Sequence, residues 1–238
     1  MQIEKVEERT TADLCSYARM RECLSLQLMP AEGNEELLEK VPHIRYKDLA
    51  LVFRFVFPGS PGEEASVLLT LDLLRVYGVT PRQLTEDAFL ICPANRPLTV
   101  RNMEEVLFGP TGDGVTWADE GRCSMEPHNN APDAPDGSLW VISSAAGRYG
   151  AAAVFYPGAL EDIARKLGCG YYLIPSSVHE MLAVPDPMCM GAEPLDQMVE
   201  NVNATEVAEE DRLTDHCYHY DPVKKLFETG TEHEARIR

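Results

Sequence analysis

The densest group of chemistry-bearing side chains in the sequence is Pro175-Ser176-Ser177-Val178-His179-Glu180. Two hydroxyls, an imidazole and a carboxylate are the types that serve as nucleophile, base and orienting group in covalent catalysis. Adjacency alone does not join them. Neighbours in a strand point to opposite faces, so His179 and Glu180 cannot pair with each other if both lie in one. Alternation puts Glu180 with Val178, Leu182 and Val184, and His179 with Ser177, Met181 and Ala183. Ser176, Ser177, His179 and Glu180 therefore form the candidate polar site, with no catalytic role assigned. The plainer reading is turn architecture, in which the polar groups hold the hairpin together.

A second candidate is His216-Cys217-Tyr218-His219, because imidazole and thiolate both suit zinc. Geometry opposes it: residues three apart in a strand face opposite ways, and no second ligand pair with zinc spacing accompanies them. The expectation is two solvated histidines on an edge strand, with no metal and no cofactor. Gly109-Pro-Thr-Gly112-Asp-Gly114 lacks the Lys and Ser/Thr of a phosphate loop. The dinucleotide fingerprint, the Gly-x-Ser-x-Gly elbow, the His-Glu-x-x-His helix and the Cys-x-x-Cys pair are likewise missing from the sequence.

Charge narrows the partners. The formal net charge of -18 presents a repulsive field to a phosphate backbone, which argues against nucleic acid as a ligand. Solubility explains the acidity most simply; mimicry of DNA is the sharper alternative. The seven cysteines are odd in number and widely scattered, which points to reduced thiols in a cytoplasm. The sequon Asn203-Ala204-Thr205 is then without consequence. The opening residues are charged, with no apolar signal segment. The most apolar run, 49–57, is broken by Arg54 and too short for a membrane helix.

The elements that must position these groups are well punctuated. Thr10 or Thr11 can cap a helix carrying Leu14, Tyr17, Ala18 and Arg21, after which Leu24, Leu26 and Leu28 alternate as a strand. Asn34 opens a helical turn with Leu37, Leu38 and Val41. Residues 49–57 read as a central strand, apolar on both faces, with 65–70 as its antiparallel partner. A helix over 72–77 closes on Gly78, and Thr80-Pro81-Arg82-Gln83 starts another that turns Leu84, Ala88 and Leu90 inward. A short helix is expected around 101–108.

Beyond a Gly/Pro/Asp-rich stretch anchored only by Trp117, residues 138–143 and 149–155 read as a strand pair. Every terminus signal agrees for a helix between Pro157 and Gly168, with Leu160, Ile163, Ala164 and Leu167 as its core stripe. A second stripe is Leu195, Met198, Val199 and Val202. Residues 171–174 and 178–184 predict a hairpin around Pro175-Ser176-Ser177, docked on the first of these helices. Residues 217–220 and 224–227 follow as two short edge strands, and the chain is expected to fray from Thr229. The fold class is α+β, with mainly antiparallel sheets and helices packed on one face. Two similarly built halves, 1–109 and 138–238, are joined by a flexible loop over 110–137.

At Ile174-Pro-Ser-Ser-Val-His-Glu180, joined to Tyr156-Pro-Gly-Ala-Leu-Glu-Asp-Ile-Ala-Arg-Lys-Leu-Gly168, the sequence resembles a bacterial family known only as a domain of unknown function, family 5688. Further pieces of the likeness are Val41-Pro-His-Ile-Arg-Tyr-Lys-Asp-Leu-Ala50, Met198-Val-Glu-Asn-Val-Asn203 running on to Asp215, and Tyr218-His-Tyr-Asp221. The resemblance implies an intracellular bacterial protein and further strand-forming sequence upstream of the N-terminal half. It carries no activity, cofactor or catalytic residue.

Three functions are compatible with these residues. The first is a noncatalytic binding or regulatory module with a protein partner of unknown identity. The second is a hydrolase-like enzyme using Ser176 or Ser177 with His179. The third is an acidic DNA mimic. The lack of any catalytic fingerprint favours the first.

Overall fold

The computed structural model describes residues 16–57, 65–108, 139–188 and 191–238. The N-terminal sheet is built around the run expected to be central. Strand β3 (Leu49–Phe57) lies between β1 (Leu24–Pro30) on one side and, end to end on the other, β2 (His43–Tyr46) and β4 (Ala65–Leu68), all antiparallel. Leu49, Leu51, Phe53 and Phe55 enter the main core, whereas Ala50 and Val52 pack with Ala31, Leu38 and Val41 on the opposite face. Each buried aromatic or aliphatic side chain here contributes about 1.5–3 kcal/mol relative to exposure. Arg54 alone breaks the apolar pattern of β3, and it turns toward the candidate site.

The second sheet has the order β10-β9-β7-β8-β6-β5, antiparallel throughout. Its strands are β5 (Leu98–Asn102), β6 (Trp140–Ser144), β7 (Tyr171–Ser177), β8 (Glu180–Pro185), β9 (Tyr218–Asp221) and β10 (Leu226–Thr229). The loop over 110–137, with Trp117, lies outside the described residues. Strand β5 precedes that loop in sequence yet pairs with β6 beyond it, so this sheet draws on both sides of it. One apolar core joins the two sheets, from Leu24 and Phe53 to Tyr171 and Tyr218.

Helices are α1 (Tyr17–Met20), α2 (Glu35–Leu38), α3 (Leu71–Tyr77), α4 (Pro81–Asn95), α5 (Met103–Phe108), α6 (Ala159–Leu167), α7 (Ala192–Thr205) and α8 (Gly230–Ile237). The cap signals at Thr80, Gly78 and Gly168 act as written in the sequence: Thr80 accepts from the Gln83 amide, and Gly78 and Gly168 close α3 and α6 in the left-handed conformation; Thr70, expected in the strand, caps α3 by accepting from the Leu73 amide. Helix α6 buries Ala159, Ile163, Ala164 and Leu167 against Tyr171 and Leu173, and the Tyr171 hydroxyl donates to the Leu160 carbonyl at 3.1 Å. On the opposite face of the sheet, α7 packs against Tyr172 and Ile174. None of the described helices is long and apolar enough to cross a membrane.

Several local expectations need correction. Residues 150–155 form a 3-10 helix, all six buried, and β6 pairs with β5 and β8 instead. A short apolar run has no period that separates a buried strand from a buried turn of helix. Residues 98–102 extend as β5 before α5 begins. Leu90 is exposed, because α4 turns Leu84, Ala88, Ile91 and Cys92 inward and Leu90 falls on the far face. In α7, Met198 and Val202 are exposed while Ala192, Val199 and Asn203 are buried. The polar Asn203 takes the inward place because its side-chain amide donates to the Thr214 carbonyl and the Asp215 carboxylate. Residues 230–237 do not fray but form α8, locked by a reciprocal Thr229/Glu232 capping box. The proposed helix start at Thr10 or Thr11 lies outside the described residues.

Candidate functional site

The hairpin of β7 and β8 is extended as expected, but its turn is displaced. Ser177 pairs with Glu180, leaving Val178 and His179 as the two-residue tip, and a register shift falls between Pro175 and Ser177. Pro175 is tolerated within β7 because the pairing with β9 covers only Tyr171–Leu173, so its missing N–H breaks no ladder bond on that side. The face grouping of Val178 with Glu180 fails for the same reason: Val178 sits in the tip, where it is buried, while Met181 and Ala183 face the core.

The tip is tied down on every side. The Val178 amide donates to the Asp211 carbonyl at 2.9 Å, and Ser143 Oγ donates to the His179 carbonyl at 2.8 Å. The Ala151 amide approaches the Val178 carbonyl at 3.4 Å. Gly150 makes this packing possible: a Cβ there would stand 2.1 Å from Ser143 Oγ and 2.6 Å from the His179 carbonyl.

The four sequence candidates divide into separate contacts. Ser176 Oγ donates to Glu180 Oε1 at 3.2 Å, and Ser177 Oγ accepts from the His179 amide at 3.1 Å. The His179 ring faces neither serine in any of these contacts. Its Nδ1 accepts from the Tyr149 amide at 3.1 Å, which leaves Nε2 to carry the proton, and Nε2 stands 3.5 Å from Asp211 Oδ1. A serine hydrolase needs the imidazole lone pair on the hydroxyl; here a backbone amide occupies it.

Tyr149 is the pivot of the site. It holds φ 58°, a left-handed conformation costly for a residue with a side chain. Two guanidinium groups stand over its ring, the Cζ atoms of Arg54 and Arg148 each 5.1 Å from the centroid. Burial opposes ionisation of its phenol. The Ser66 hydroxyl and the charges of Arg54 and Arg148 outweigh that and hold it below the ordinary tyrosine range. Arg54 donates to Gln27 Oε1 and Ser66 Oγ at 2.9 Å each, and its buried Nε has no hydrogen-bond partner among the described residues. Gln27, Arg148, Tyr149, His179, Glu210 and Asp211 line a shallow cleft of about 710 Å³.

A second polar centre lies at the other end of the sheet. His219, from β9, is 1 % exposed and far from the solvated edge residue expected, because β10 takes the sheet edge and His233 of α8 stacks on the ring. His216 does face the other way: its Nε2 lies 3.2 Å from Asp48 Oδ2, in the turn between β2 and β3. His219 is grouped instead with Glu228 of β10 and His233 of α8, whose ligand atoms lie within 4.8 Å of one another. Among the described residues this is the set suited to a metal ion. Burial would raise Glu228, but hydrogen bonds from Arg236, first, and His233 hold its carboxyl below the usual range.

Sequence reasoning missed Tyr149, Arg54, Gln27 and Asp211 in the first centre and Glu228 and His233 in the second. Arg54, a lone charge inside an otherwise apolar strand, was a usable signal. So was Thr229-Gly-Thr-Glu232, a capping box that marks a helix where fraying was expected. Nothing local links Tyr149 to His179, thirty positions away.

No curated protein and no solved structure matches the chain. A family model does, over residues 1–222, and it covers the α6 helix, the β7–β8 hairpin and β9. The chain therefore belongs to the family of unknown function DUF5688.

Proposed function

We propose that the chain is a noncatalytic binding or regulatory module whose contact surface is the cleft beside His179. The observation that carries this reading is the Tyr149 amide on His179 Nδ1. It spends the lone pair a general base would need, and turns the imidazole into a fixed wall of the cleft. A rigid tip then presents the arginine side and the Glu210/Asp211 side of one shallow surface. Such a surface complements a partner segment carrying both an acidic and a basic side chain. Loops held on a rigid scaffold suit recognition of this kind.

The hydrolase alternative keeps the same residues but needs Ser176 or Ser177 to reach an unengaged imidazole nitrogen, which the contacts above oppose. Pull-down with the full chain at physiological salt tests the reading. A specific protein retained by wild type and lost with Arg148→Glu or Asp211→Lys supports it. Recovery of no specific partner, or labelling of Ser176 or Ser177 by a serine-reactive fluorophosphonate, would overturn it.

A further inference from the structure

We propose that His219, Glu228 and His233 form a site for a divalent transition-metal ion of the zinc class, with Asp186 orienting His219. Nε2 of His219 is 2.9 Å from Asp186 Oδ1, which fixes its proton there and leaves Nδ1 as a lone pair. That Nδ1 is buried, has no hydrogen-bond partner among the described residues, and stands 3.9 Å from Glu228 Oε1. Oε1 in turn lies 3.1 Å from His233 Nδ1. A carboxylate behind a histidine, an unsatisfied nitrogen in front of it, and a carboxylate and a second imidazole nearby are the groups from which zinc sites are built. Two imidazoles in a buried setting favour zinc, copper or nickel over magnesium or calcium.

The groups are held by three elements. Gly230 lets α8 approach β9 closely, since a Cβ there would meet Cys217 Sγ at 2.5 Å. A neighbouring cleft of about 720 Å³ is lined in part by Tyr172, Asp186, Gly191 and His233, so one proposed ligand and the orienting carboxylate border open space.

Binding requires two movements. Arg236 now pairs with Glu228, its Nη2 also 3.1 Å from His233 Nδ1, so the ion replaces its charge while the guanidinium stays on Asp221, already 3.0 Å away. The rings of His219 and His233 are stacked, centroids 3.4 Å apart, and His233 must rotate to bring its lone pair into line. With bonds of about 2.1 Å the three donors close to roughly 3.4 Å from one another. Glu228 and His233 lie beyond the residues matched by the family model.

The test is titration of the chelator-stripped full chain with Zn²⁺, and with Co²⁺ for its visible ligand-field bands. One equivalent bound, with tetrahedral cobalt bands and a rise in Tm, is expected. Asp186→Asn should weaken binding about 10- to 100-fold, and His219→Ala should abolish it. Arg236→Met should tighten it, because a competing cation is gone. Circular dichroism identifies the variants that fold. Failure of wild type to retain zinc, cobalt bands of octahedral type, undiminished binding by folded Asp186→Asn, or unchanged or weaker binding by folded Arg236→Met each overturns the site. None of these outcomes bears on the cleft at His179.

Discussion

The backbone amide of Tyr149 donates to Nδ1 of His179 at 3.1 Å, across thirty residues of sequence. One bond thereby sets the tautomer of the histidine and clamps a left-handed tyrosine against the hairpin tip. It also decides what the Ser-Ser-Val-His-Glu motif can do. With Nδ1 engaged, His179 is held as the Nε2–H form beside Asp211.

Imidazole nitrogen shifts in a histidine-labelled sample should therefore show His179 as the Nε2–H tautomer at neutral pH. A Nδ1–H tautomer would free a base for one of the serines and sink the binding-module reading.

Replacing Gly150 by alanine should destabilise the fold by about 1–3 kcal/mol, as overpacking does in a closed interior. The added methyl meets the backbone carbonyl of His179 and cannot be relieved by a flexible side chain. Urea unfolding gives the number, and a change below the error of the fit would show that the tip is loosely held.

Tyr149 should be the first tyrosine to ionise. Burial raises the phenols of Tyr156, Tyr171 and Tyr218, whereas Ser66, Arg54 and Arg148 lower that of Tyr149. Ultraviolet titration of Tyr149→Phe should lose the earliest step, and Arg54→Met should move it upward.

His216 and Asp48 join the two sheets and give stability a pH dependence. The Asp48 carboxylate, 3.2 Å from its Nε2, raises His216 above its ordinary 6.5 against the opposing effect of burial, and Asp196 and Asp215 add to the rise. This contribution is fully present below the unfolded pKa and is lost as pH climbs through the raised folded one. Burial would raise Asp48, but His216 and then Tyr218 hold it below its ordinary 3.8, so its share is present above that value and lost as pH falls through the folded pKa. The Tm deficit of His216→Gln should be largest near roughly pH 5 and shrink toward roughly pH 9. A deficit independent of pH would mean that the ring acts by packing alone.

Loss of the Thr229 cap should cost α8 about 0.5–2 kcal/mol. Amide exchange reads this directly: residues 234–237 are protected in wild type and exchange faster in Thr229→Ala. No protection in wild type would remove the docked helix, and with it one wall of the histidine centre.

Much of the architecture was legible because it is written in local rules. The period-two run of 49–57 with apolar residues on both faces could only be a central strand, and its two buried faces follow from that. Thr80, Gly78 and Gly168 fixed their helix ends, since caps act on amides and carbonyls a few residues away. The hairpin carrying the Ser-Ser motif and the helix docked on its core face were likewise readable. Stripe assignments were weaker: in α7 a buried Asn203 displaced the expected Met198 and Val202, because hydrogen bonds to Thr214 and Asp215 made a polar residue acceptable inside.

The sequence by itself determined the α+β class, the main elements and their caps, since each rests on contacts within a few residues. Tertiary structure alone decided the sites. It brought Tyr149 and Asp211 to His179, and Glu228 and His233 to His219. Only packing between distant elements sets which lone pairs are spent and which are left facing a cleft, and that is a property no spacing of residues encodes.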